Sequence, residues 1–203
     1  MRNESMTSEK KRTVVPGFGK NSLVSDLLIM VVLCFAGVFC KKLINPAANV
    51  VTDSLHVPGG ISSSVSLMFL VIAAGITKRR WSASAMGIMQ AGTALAMGSM
   101  GSMGYLLPVA YVVPGVVIDA IMLIGEKIHL SSRVSAFIAN ILSSVTAALF
   151  ADLVVFHLPV KPLTVYLCLA TLTGSICGYI AGTVISMIND KKNSGGDNQD
   201  GAE

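Results

Sequence analysis

Polar residues in this chain fall in clumps, and between the clumps lie six long apolar runs. The runs cover approximately 23–40, 59–77, 82–100, 104–125, 134–157 and 163–188. A helix rising about 1.5 Å per residue needs about 20 residues to cross the hydrocarbon of a bilayer, and every run is close to that length. A lone span must satisfy its own peptide groups, so the runs predict α-helices. A transmembrane barrel would show short alternating segments, which are absent from this pattern. The predicted fold class is an all-α integral membrane protein, a compact six-transmembrane-helix bundle. Its predicted parts are a polar and basic tail at 1–22, the six-helix domain at 23–188 and a disordered polar tail at 189–203. The first twenty residues contain no apolar leader core, so no cleaved signal peptide is expected.

Composition agrees with this picture. Of 203 residues, 53% are hydrophobic and 13% are charged, too little polar surface for a soluble domain of this size. The net charge of +4 could suggest nucleic acid. Its basic residues instead flank the apolar runs, the pattern that orients spans in a membrane. An inside N-terminus puts Arg2, Lys10, Lys11, Arg12 and Lys20 on the cytoplasmic side, with Lys78, Arg79, Arg80, Lys127, Arg133, Lys191 and Lys192. Only Lys41, Lys42 and Lys161 then lie outside. That asymmetry predicts both termini in the cytoplasm and an even number of spans; the expected location is the plasma membrane.

Small residues point to close packing. Gly174, Gly178 and Gly182 share one helical face, as do Ala139, Ser143 and Ala147. The stretch GSMGSMG, 98–104, reads as a helix end entering a tight external turn. Pro108 and Pro114 are expected to bend the fourth span into an irregular wall, facing either a cavity or a closely packed neighbour. Residues 41–60 read as an external loop that folds back as a lid, carrying Asn45, Asp53 and His56. Gln90 and Thr93 sit in mid-span three, where such groups tie helices together or supply a pocket with hydrogen bonds. Tyr105, Tyr111 and Tyr166 lie towards the outside and fit either an interfacial belt or the walls of a ring site. Asp152 is one turn from the outer end of span five, where an ionisable group is a candidate ligand contact. Asp119 and Asp26 are placed towards the cytoplasm and read mainly as structural. The methionines of span three read as adaptable packing, without a metal. The four cysteines read as buried small hydrophobes, with no CxxC for zinc. No nucleotide-binding loop, nucleophile elbow or metalloprotease motif is present, so neither an enzyme nor a bound cofactor is expected.

Three stretches resemble the substrate-binding S component of energy-coupling factor (ECF) transporters. GGISSSVSLMFLVIAAGITKRRWSASAMGIMQAGTALAMG is similar to that family's second and third helices joined by a short basic turn. YLLPVAYVVPGVVIDAIM is similar to its fourth helix, and residues 41–58 stand where it places a lid. The resemblance covers roughly 23–188. It implies capture of a small vitamin-like or micronutrient molecule from outside, and delivery through a transmembrane coupling subunit driven by two cytoplasmic ATPases. It also implies a pocket walled by Tyr105, Tyr111, Asp152 and Tyr166, with Asn45, Asp53 and His56 in the lid. The other classes are a stand-alone secondary transporter or channel and a membrane scaffold. The first would show matching broken helices or a carboxylate relay, and neither is evident. Few aromatic residues and few buried charges argue against a heavily stacked or highly charged ligand.

Overall fold

The apolar runs fold as helices because a helix satisfies its own peptide groups in an apolar surround. In the computed structural model, which describes residues 20–54, 61–98, 104 and 106–196, there are six α-helices and no strand among the described residues. They are α1 (Lys20–Ser54), α2 (Ile61–Thr77), α3 (Ser82–Ala96), α4 (Leu107–Lys127), α5 (Ser132–Ala151) and α6 (Val160–Gly196). A single π-helical turn, Asp152–Phe156, closes α5.

Four segments are long and apolar enough to cross a membrane: Leu23–Val50, Leu107–Lys127, Ser132–Phe156 and Val160–Lys191. The helix Ser62–Thr77 is apolar but shorter. It is also the most enclosed, with Leu70, Val71 and Ala73 wholly buried. α2 touches all five other helices, so its sequence has no polar face to show. Length is needed where a helix meets the surround, and α2 meets its neighbours instead.

Pairwise approaches set the directions. Gly75 lies against Ile185 and Ser64 bonds Thr173 at 3.0 Å, so α2 and α6 run parallel. Gly87 faces Tyr111 and Gly115 faces Ala83, so α3 and α4 run antiparallel. Gly174, Gly178 and Gly182 meet Ser144, Phe137 and Arg133 in turn, so α5 and α6 are antiparallel as well. Both described ends of the chain therefore come to one end of the bundle. The 78–81 and 128–131 turns share that end, here called the basic end.

Several boundaries differ from the sequence pattern. α1 continues through 41–54, a segment expected to be a loop, and carries Pro46 inside it. Proline removes one backbone bond, but the flanking LIN and AANVV are helix-compatible and Ala48 is buried, so the helix goes on. At 35 residues α1 is about 52 Å long at 1.5 Å per residue. α6 likewise extends to Gly196, into the polar tail expected to be disordered. α3 ends at Ala96 instead of 100, because Gly98 turns the chain with φ +66°. α4 is unbroken: Pro108 falls in its first turn, where no N–H is needed, and Pro114 is packed inside the helix. Cys34 and Cys177 are buried, but Cys168 is exposed on α6, contrary to the expectation for all four.

The outward surface is apolar. Phe35 and Phe39 on α1 keep 60% and 64% exposure, and Leu172, Ile176 and Tyr179 on α6 are similarly open. Between helices in lipid there is little hydrophobic driving force, so packing depends on close approach. A β-carbon on Gly178 would lie 3.0 Å from the Phe137 carbonyl and 3.1 Å from the Asn140 Cβ. Gly178→Leu is expected to destabilise the fold by about 1–3 kcal/mol through overpacking. Gly92→Leu, with nothing within 4 Å of the added carbon, is expected to leave it unchanged or slightly steadier. Unfolding of both variants in mixed micelles on titration with dodecyl sulfate distinguishes the two.

Candidate functional site

The start of α2 reads ISSSVS, and Ser62, Ser64 and Ser66 are all buried. Hydroxyls enclosed in an apolar bundle need partners, and two of these find them on opposite sides. Ser66 donates to Gln90 Oε1 on α3 at 2.9 Å, and Ser64 shares a bond with Thr173 on α6 at 3.0 Å. The serine run thus ties α2 to α3 and to α6, and two polar groups lie in this half of the bundle, away from the basic end.

The first group joins α1, α3 and α4. Gln90 is fully enclosed, and its Nε2 has no hydrogen-bond partner. Gly37 of α1 makes room for that nitrogen, since a β-carbon there would come within 2.8 Å of it. One turn on, Thr93 donates to the Met89 carbonyl at 2.9 Å and meets the Cys34 sulfur at 3.9 Å. Lys41, one turn past Gly37, donates to the Tyr111 hydroxyl at 2.9 Å and lies 4.8 Å from the ring centroid. Tyr111 accepts that bond, which leaves its own O–H to donate. Gln90 Nε2, the Tyr111 hydroxyl and the remaining Lys41 N–H groups form a donor-rich seam. Such a seam suits a ligand with carbonyl or carboxylate oxygens.

The second group is at the α5–α6 turn. Asp152 is buried, and its Oδ1 accepts the Leu158 N–H at 2.8 Å. Its carbonyl accepts the His157 N–H at 2.8 Å, and His157 adopts φ +47°. The carboxylate therefore ties the π-helical turn closed. Tyr166 is buried against Ala148 and Ala170, within reach of the Asp152 charge. Asp152 and Tyr166 belong together, as do Gln90, Thr93 and Tyr111, but no hydrogen bond described in the structure joins the two groups. Asn45 is exposed on α1, one turn past Lys41, and not in a loop. Asp53 is in the last turn of α1, with its side chain outside the described residues. His56 and Tyr105 lie outside the described residues altogether. No group of three His, Cys, Asp or Glu side chains gathers to hold a metal among the described residues.

Sequence reasoning passed over one participant, Lys41, and located another residue, Asp119, without the detail of its role. Lys41 was counted only as an orienting charge, although its four-carbon stem lets it reach from α1 to α4. Asp119 was treated mainly as structural, and its bonds show why. It accepts the Ala83 N–H at 3.0 Å, the Ser84 N–H at 2.8 Å and the Ser84 hydroxyl at 2.6 Å. Ala83 and Ser84 are the second and third residues of α3, the donors that an N-cap side chain normally satisfies. The residue at the cap is Trp81, at φ +68° and with no capping oxygen. Asp119 supplies the cap from a different helix and places its charge at the positive end of α3.

No family model, curated protein or solved structure matches the chain. Asp119→Ala leaves two buried N–H groups and a hydroxyl unpaired, at about 1–3 kcal/mol each, so a loss of about 3 kcal/mol or more is expected. Asp119→Asn keeps one acceptor and loses less. Hydrogen exchange at the Ala83 and Ser84 amides checks this: both speed up in Asp119→Ala while the α6 amides exchange much as before relative to them.

Proposed function

We propose that the chain is the membrane-embedded substrate-binding subunit of an ECF-type importer in the plasma membrane. Its six helices cross the bilayer with both termini and the basic end in the cytoplasm. The shorter α2 and α3 span it inside the bundle, flanked by longer neighbours. The chain captures a small vitamin-like molecule from outside and passes it through a transmembrane coupling subunit powered by two separate ATPases.

The observation that carries this reading is the donor seam around Gln90, in the half of the bundle away from the basic turns. A wholly enclosed carboxamide with an unspent N–H is costly unless something occupies it. Lys41 and Tyr111 bond each other one turn further along α1, and Asp152 with Tyr166 forms a separate polar group at the α5–α6 turn. These groups can bind and orient a ligand; none is paired with a nucleophile or base that would transform it. Energy for release then comes from other chains, since the sequence has no nucleotide-binding loop. The apolar outer faces of α1 and α6 suit a subunit that moves against a partner within lipid.

Purification from native membranes is expected to bring down a coupling subunit and two ATPases, with uptake in liposomes only when all are present with ATP. Uptake by this chain alone would instead make it a stand-alone transporter. Asp152→Asn retains the acceptor for Leu158 and removes the charge. It is expected to weaken binding of the co-purified ligand about tenfold, equivalent to about 1.4 kcal/mol. An unchanged dissociation constant removes Asp152 from the site.

A further inference from the structure

The basic end contains a cavity of about 510 Å³, between the end of α2, the end of α4 and the start of α5. Its rim carries Lys78, Arg79 and Arg80 in succession, with His129 and Ser132 opposite. Its apolar lining is Ala74, Met122, Leu123 and Leu130, beside the buried Asp119 and Ser135. A cationic rim over an apolar wall matches an amphiphile with an anionic head.

Two of the three rim charges are not paired internally, and the third is paired through one nitrogen. Arg79 Nε bonds Asp26 at 2.8 Å, which leaves the rest of its guanidinium available. Lys78 and Arg80 make no ion pair among the described residues. Two acids also line the cavity. Both oxygens of Asp119 are taken by α3, as described above. Glu126 pairs with none of the three cations. The turn that presents the cations is itself unfavourable, since Lys78 and Trp81 adopt φ +49° and +68° without being glycine. Three adjacent like charges on a strained turn repel one another, and an anion between them relieves that repulsion.

We propose that this cavity binds a phosphate ester, with the phosphoryl oxygens between Lys78, Arg79 and Arg80 and the organic part against Met122, Leu123 and Leu130. An anionic lipid headgroup and a soluble phosphate ester share that chemistry. The site lies at the opposite end of the bundle from the Gln90 seam and does not depend on the transport reading.

The test uses the full chain in nanodiscs containing equal phosphatidylglycerol and phosphatidylcholine, with bound lipid counted by native mass spectrometry. Wild-type protein is expected to retain phosphatidylglycerol in clear preference to phosphatidylcholine. Lys78→Gln with Arg80→Gln is expected to lower that retention by about tenfold or more, because each basic side chain near an anionic surface contributes about fivefold. Both residues are exposed at the rim, and a melt of the variant confirms that it folds. Lys161→Gln, at the other end, leaves retention unchanged. Glu126→Gln raises it by removing a repulsive charge beside the three cations. Displacement of the lipid by glycerol phosphate assigns the site to a soluble ester, and persistence assigns it to the lipid; either outcome upholds the phosphate site. Equal retention of the two lipids, or undiminished retention by the double variant, overturns it.

Discussion

An apolar surround gives a polypeptide no outside partner for its peptide groups, and this bundle presents such a surface for most of its length. Every polar atom must therefore be satisfied from within. Helices satisfy their own middles but leave the first N–H groups open. At α3 that debt is met by Asp119, which reaches across from α4 because Trp81 has nothing to offer at the cap. The contact fixes the height of α3 against α4, and Gly87 and Gly115 then let the two backbones close. Gln90 and Thr93 are one and two turns further along α3, so their position follows from the same contact.

The two ends of the bundle differ in what they leave unsatisfied. Around the serine run of α2, the unspent groups are neutral donors: the buried Gln90 amide nitrogen and the half-buried Tyr111 hydroxyl. At the basic end they include whole charges, on the exposed Lys78 and Arg80, beside the buried Ser82 hydroxyl. A buried neutral donor selects a ligand by shape and hydrogen bonding, and an exposed cation attracts by charge and yields to salt. The proposed capture of a small molecule at one end and the proposed phosphate contact at the other follow from this difference. α2 lies between them as an apolar rod with no polar side chain from Leu67 to Ile76.

Much of this architecture was legible in the sequence, and the parts that were not share a physical cause. The glycine spacing at 174, 178 and 182 identified a packing face because small residues have few other uses in a span. The apolar runs located all six helices, since periodic and continuous hydrophobicity report the surround directly. Ends were harder to read. Hydropathy falls at Lys41 and Pro46 disfavours a helix, yet α1 runs on past the apolar segment and across that proline, with Ala48 buried. The end of α3 was set by Gly98, whose turn outweighed the apolar methionines around it. The site was only half readable. Gln90 and Tyr111 stood out as polar residues in apolar runs, but their link through Lys41 joins positions seventy apart, and no local pattern reports such a pair. Asp152 was noticed for its charge, and the structure adds its service to the α5–α6 turn.

The proposed placement in the bilayer rests on the basic turns facing the cell interior. Single-cysteine labelling of intact cells tests it most directly, with the four native cysteines replaced and a membrane-impermeant thiol reagent outside. Arg80→Cys is predicted to stay unlabelled until the cells are opened, and Lys161→Cys is predicted to label at once. Labelling of Arg80→Cys in sealed cells, with Lys161→Cys protected, would invert the bundle and move the proposed capture site to the wrong side of the membrane.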